Sequence, residues 1–63
     1  MNIHIERYQG GTWQDEGRMA VRSYFQAHPV DDITRGMIES ALIATEVYDF
    51  GNGTRIRLER RAA

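Results

Sequence analysis

The residues of this chain whose types could do chemistry are two histidines, two adjacent acid pairs and a short glycine stretch. His4 and His28 lie far apart, and neither has a partner at ligand spacing. No metal site and no Ser-His-Asp arrangement follows from them. Asp15-Glu16 and Asp31-Asp32 could be read as acid/base pairs, but adjacent side chains on a helix diverge. Helix capping is the better use of them. Gly10-Gly11-Thr12, read as a helix start, could hold a phosphate through free backbone N–H groups. A phosphate loop would want more glycines and a lysine, and the chain has no lysine at all. Gly51-Asn52-Gly53 lies between two strand-like runs and reads as a turn. We expect no catalytic residue, no metal, no cofactor and no enzyme.

Charge is a stronger signal than any motif. Net charge is −1, but its two signs are segregated. From Thr12 to Phe50, seven acids oppose Arg18, Arg22 and Arg35, which gives 3 − 7 = −4. From Gly51 onward, Arg55, Arg57, Arg60 and Arg61 oppose only Glu59, which gives 4 − 1 = +3. Spaced carboxylates can stand in for nucleic-acid phosphates and occupy a basic groove on a partner. The candidates are Asp15, Glu16, Asp31, Asp32, Glu39 and Glu46. The alternative surface is Arg55, Arg57, Arg60 and Arg61, which could meet a nucleic-acid backbone. Each set also has a plainer reading, as a solvated helix face or as arginines guarding a strand edge.

Sixty-three residues make one domain with a thin stability margin. With no cysteine, no disulfide can staple it and no thiolate can hold zinc. No run reaches the roughly 18 apolar residues of a membrane span, and MNIHIERY does not read as a signal peptide. The expected location is the cytoplasm, that of a host cell if the chain is phage-encoded.

The elements that must carry these charges follow from periodicity. Residues 2–8 alternate, with Ile3 and Ile5 on one face and His4, Glu6 and Tyr8 on the other, as in a half-buried strand. A helix is expected over 12–27, capped by Thr12 with Asp15 three residues on. Trp13, Ala20, Val21, Tyr24, Phe25 and His28 make its apolar stripe, and Gly17 on that stripe implies close packing. A competing reading runs a short strand through Thr12-Trp13-Gln14 before the helix. His28-Pro29 ends the helix. A second helix spans about 32–45, capped by Asp31 or Asp32. Its inner stripe is Ile33, Met37, Ala41 and Ala44, widened by Ile38 and Leu42. Arg35 and Glu39 pair on its outer face.

Residues 46–60 form a hairpin, since Asn-Gly between alternating runs is a strong turn signal. A three-residue loop, Gly51-Asn52-Gly53, pairs Tyr48 with Ile56 and Asp49 with Arg55. Phe50, Tyr48, Ile56 and Leu58 then share one face, and Gly53 takes a left-handed conformation. The expected fold is α+β: a three-stranded antiparallel sheet with two helices on one face, in the order β-α-α-β-β. The first strand joins the last, which becomes central. The expected core is Ile3, Ile5, Trp13, Val21, Tyr24, Phe25, Ile33, Met37, Ala41, Tyr48, Phe50, Ile56 and Leu58.

A helix followed by a hairpin resembles a winged helix-turn-helix, but the helix Asp32–Thr45 carries the wrong charge for a major groove. In length, lack of cysteine and order of elements, the chain is similar to the small phage-encoded inhibitors of bacterial defence, anti-CRISPR proteins among them. That resemblance implies a non-enzymatic inhibitor that blocks a nucleic-acid-handling host protein or ribonucleoprotein complex through its acidic helices. The alternative is a small nucleic-acid-binding or regulatory module using the arginine strand. The chain is expected as a monomer or weak homodimer, with paired strand edges one route to a dimer.

Overall fold

The computed structural model describes residues 1–60. Four strands and two helices follow in the order β1 (Asn2–Gln9), β2 (Thr12–Ala20), α1 (Val21–Ala27), α2 (Asp32–Thr45), β3 (Val47–Asp49) and β4 (Thr54–Leu58). The class is α+β as expected, but the sheet has four antiparallel strands, ordered β2-β1-β4-β3. The chain order is therefore β-β-α-α-β-β rather than β-α-α-β-β.

The added strand comes from the first half of the expected helix 12–27. Gly10 and Gly11 have φ of 59° and 82° and form a two-residue turn between Gln9 and Thr12. Two successive positive φ values match the twist of an antiparallel pair, and glycine meets them without a Cβ penalty. Thr12 therefore opens a strand and caps nothing. Its Oγ1 donates to the carbonyl of Trp13.

A bulge then hides the strand from periodicity. Ile5 pairs with Gly17 but Glu6 pairs with Asp15, so Glu16 is an extra residue on β2. Gly17 has φ 141°, a conformation L side chains rarely adopt. The Asp15 carboxylate accepts its N–H at 2.9 Å. The inserted residue reverses the inside-outside phase. Trp13 stands beside Tyr8 on the open face, while Met19 stands beside Ile3 on the helix face. Gly17 marks this bulge and not a close helix contact. Trp13, expected in the core, lies on the opposite side of the sheet.

The helical residues of that segment begin at Val21, whose N–H donates to the Met1 carbonyl. Val21, Tyr24 and Phe25 are buried, as the stripe predicted. Burial pushes the Tyr24 hydroxyl above its ordinary pKa. His28 caps the helix end, and its N–H donates to the Tyr24 carbonyl. The second helix has the expected bounds but presents a different face. Ile38 and Leu42 are fully buried, whereas Ile33 is 77% and Met37 62% exposed. Ala41 is half-buried and Ala44 exposed. The sequence carries two apolar stripes on this helix, and the sheet takes the one with Ile38 and Leu42.

The C-terminal hairpin follows its predicted register. Val47, Tyr48 and Asp49 pair with Arg57, Ile56 and Arg55. Phe50 N–H donates to Thr54 O at 3.1 Å across the three-residue loop, and Gly53 has φ 86°. β1 pairs with β4, so that Ile3 meets Leu58 and Ile5 meets Ile56. The core is Ile3, Val21, Tyr24, Phe25, Ile38, Leu42 and Ile56, with Ile5, Met19, Tyr48, Phe50 and Leu58 packed around it.

Leu42→Ala should therefore lower stability by about 2–5 kcal/mol in urea unfolding, and Met37→Ala should stay within about 0.5 kcal/mol. Equal losses would mean that the helix turns its other face to the sheet.

Candidate functional site

The face of the sheet away from the helices holds a cluster of charged side chains. At its centre Glu6 is only 7% exposed. Arg55 Nε donates to its Oε1 at 2.7 Å, and Arg57 Nε to its Oε2 at 3.3 Å. The alternation of β1 and β4 places these three on one face because Glu6 stands directly opposite Arg55. Burial pushes the Glu6 carboxyl up, but the hydrogen bonds and charges of the two arginines outweigh it. Its pKa lies below the ordinary value. The Arg55 guanidinium also lies 4.2 Å from the centre of the Trp13 ring, a cation–π contact. Tyr8 meets that ring edge-on at 5.3 Å.

A second network lies beside it. His4 Nδ1 is 2.8 Å from Asp15 Oδ2, and its Nε2 is 3.2 Å from Glu59 Oε1. Arg18 Nε reaches the same Glu59 oxygen at 2.7 Å. The N–H of Gly17, and then His4, hold the Asp15 carboxyl below its usual pKa. Arg18 does the same for Glu59.

The expected acidic surface is thus divided among elements. Asp15 and Glu16 are on β2, where Asp15 faces His4 and Glu16 accepts from Arg7 at 3.0 Å. Glu39 lies on α2 and accepts from Arg35 at 2.8 Å. Arg35 also lies over the Phe25 ring at 4.9 Å. Glu46 follows α2 with φ 67° and accepts from Arg60 at 2.8 Å and 2.9 Å. Asp31 and Asp32 sit together at the start of α2, exposed and in no ion pair among the described residues. Asp31 makes no well-formed side-chain cap, yet the nearby Thr34 hydroxyl and backbone N–H groups keep its carboxyl below the usual range.

The expected basic surface is already neutralised in part. Arg55 and Arg57 share Glu6, and Arg60 holds Glu46. Arg61 lies outside the described residues. Among the described residues, no group of three or more His, Asp or Glu could hold a metal ion. No helix there is long and apolar enough to cross a membrane.

Two features escaped the sequence reading. One is Glu6 as the shared partner of two arginines about fifty positions away. The other is the outer face of α2, where Ile33, Met37 and Ile43 are 77%, 62% and 69% exposed. The signal for the second was present: Gly36, Ser40 and Ala44 recur on that side, too small to build a core. No protein-family model matches the chain, and neither a curated protein nor a solved structure is significantly similar to it.

Glu6→Gln should cost about 1–3 kcal/mol, the loss of two charge-assisted bonds to arginines that are themselves part-exposed. The folded carboxyl titrates below its ordinary value near 4.5. Its contribution is therefore complete above that value and lost as pH falls through the folded pKa. Urea titrations at stepped pH should show a shallower acid loss for Glu6→Gln than for the unsubstituted chain. Parallel curves would mean that Glu6 is not held ionised by the pair.

Proposed function

We propose that the protein is a non-enzymatic binding module that blocks a larger partner through the acidic start of α2. What supports this reading is the distribution of unspent charge. Glu16, Glu39 and Glu46 each have an arginine partner within the chain, and Asp15 faces His4 at 2.8 Å. Asp31 and Asp32 are the adjacent pair, among the described residues, that has none. Two apolar neighbours flank them, Val30 at 41% and Ile33 at 77% exposure. The result is a small knob with two negative charges between two greasy side chains. Its complement is a groove with positive charge and an apolar rim. Exposed charges of this kind add more to encounter rate and selectivity than to affinity.

Nucleic-acid-binding grooves carry such positive charge. The reading therefore takes as partner class a nucleic-acid-handling host protein or ribonucleoprotein complex, as the resemblance to anti-CRISPR-type inhibitors implies. Phage origin and a site of action in the host cytoplasm belong to the same proposal. Direct nucleic-acid binding is the weaker alternative. A phosphate approaching Arg55 or Arg57 would meet the negative charge of Glu6, which already accepts from them at 2.7 Å and 3.3 Å.

Immobilised protein should retain its partner from host lysate and release it to heparin, which competes for the same basic groove. Asp31→Arg/Asp32→Arg should abolish retention without changing the circular dichroism spectrum. Undiminished retention by that folded variant would overturn the proposal. A salt-dependent gel shift lost in Arg55→Ala/Arg57→Ala would put the arginine face in its place.

A further inference from the structure

The two hairpin turns lie at the same end of the sheet. The Tyr8 N–H donates to the Gly53 carbonyl at 2.8 Å and ties one turn to the other. Beside this tie is a cleft of about 310 Å³ lined by Tyr8, Trp13, Asp49, Gly51 and Gly53. None of these residues belongs to the proposed partner site. The two glycines bring no side chain to the cleft, and the other three bring two aromatic rings and one carboxylate.

The carboxylate is without a cation although an arginine stands next to it. Arg55 lies directly opposite Asp49 in the register of β3 and β4, where opposite charges ordinarily pair. Its guanidinium instead donates to Glu6 at 2.7 Å and lies 4.2 Å from the centre of the Trp13 ring. Asp49 is left in no ion pair among the described residues. Its Oδ1 accepts the Gly51 N–H at 2.7 Å, which holds the side chain in place. Tyr8 is 52% exposed and has ring surface to offer.

A carboxylate beside two aromatic rings selects the sign and the kind of its guest. The negative charge opposes phosphates and other carboxylates. The rings attract a cation with an apolar surface, because the electron-rich face of a ring draws positive charge. Arg55 on Trp13 is an example within the chain, and Glu6 balances its charge. The volume is at the lower end of the roughly 300–1,000 Å³ of small-molecule clefts, the size for a head group.

We infer that this cleft binds an alkylammonium group, with Asp49 as its counter-ion and Tyr8 and Trp13 as its aromatic walls. Two sources offer that chemistry: a free quaternary ammonium compound, and a lysine side chain of another protein, methylated or not.

Trp13 is the single tryptophan, so its fluorescence reports occupancy, together with the amide shifts of Gly51 and Gly53 in nuclear magnetic resonance. At constant ionic strength, choline should move both signals saturably, and dimethylbutanol, its uncharged carbon isostere, should bind more weakly. Asp49→Asn keeps an acceptor for Gly51 and removes the charge. Tyr8→Leu keeps bulk and removes the ring. Each should weaken choline about two- to fivefold without changing the circular dichroism spectrum. Tighter binding of choline than of acetyl-lysine amide, plain or trimethylated at its side chain, assigns the cleft to a free small molecule; the reverse order assigns it to a protein side chain. Asp31→Arg/Asp32→Arg should bind choline as before, so failure of the cleft and failure of the partner site are read separately. No saturable shift with any of these cations, equal binding of the uncharged isostere, or choline binding indifferent to both cleft variants overturns the inference.

Discussion

The pairing of β1 with β4 is the constraint on which the other contacts depend. It joins the second residue of the chain to the fifty-ninth, where Glu59 N–H donates to Asn2 O at 2.9 Å. Both faces of this pair specify one register. On the helix side, Ile3, Ile5, Ile56 and Leu58 meet; on the open side, Glu6 meets Arg55 and Arg57. A slip of β4 by one residue would drive Arg55 and Arg57 into the core and lift Ile56 and Leu58 into water. This contact closes a loop of nearly the whole chain, and its entropy must be met before the sheet can form. The two local hairpins can form first and supply the flanks.

The legible parts of the fold were those encoded by neighbours in sequence. Asn52-Gly53 between alternating runs specified the second hairpin to the residue, and helical spacing with small exposed residues specified α2. Gly10-Gly11 is an equally good hairpin signal. It was overridden because Trp13 falls in step with Ala20, Tyr24 and Phe25 at a helical interval. That coincidence spans a bulge: Glu16 breaks the two-residue alternation of β2 just where it would have revealed a strand. The face of α2 was ambiguous for a different reason. The helix carries Ile33 and Met37 on one side and Ile38 and Leu42 on the other, and local sequence cannot say which pair the sheet will take.

The candidate site was legible as a list of charges and not as a surface. Counting acids and arginines correctly divided the chain into a negative and a positive part. The count could not show that the fold would lay one on the other. Glu6, Glu46 and Glu59 each take an arginine from elsewhere in the chain, and most of the apparent polarity is consumed internally. Asp31 and Asp32 stand out only after that subtraction. The apolar side of α2 likewise becomes visible only once the sheet has taken the other side.

The bulge at Gly17 has a bearing on how these molecules meet one another. A sheet with two free margins invites further chains to add on, and continued addition makes fibres. Here one margin is kinked by the inserted residue on β2, and the other is β3, a segment of three residues. Neither offers a straight row of unpaired amide groups long enough to template growth. Open-ended stacking through the two margins of the sheet is thereby disfavoured.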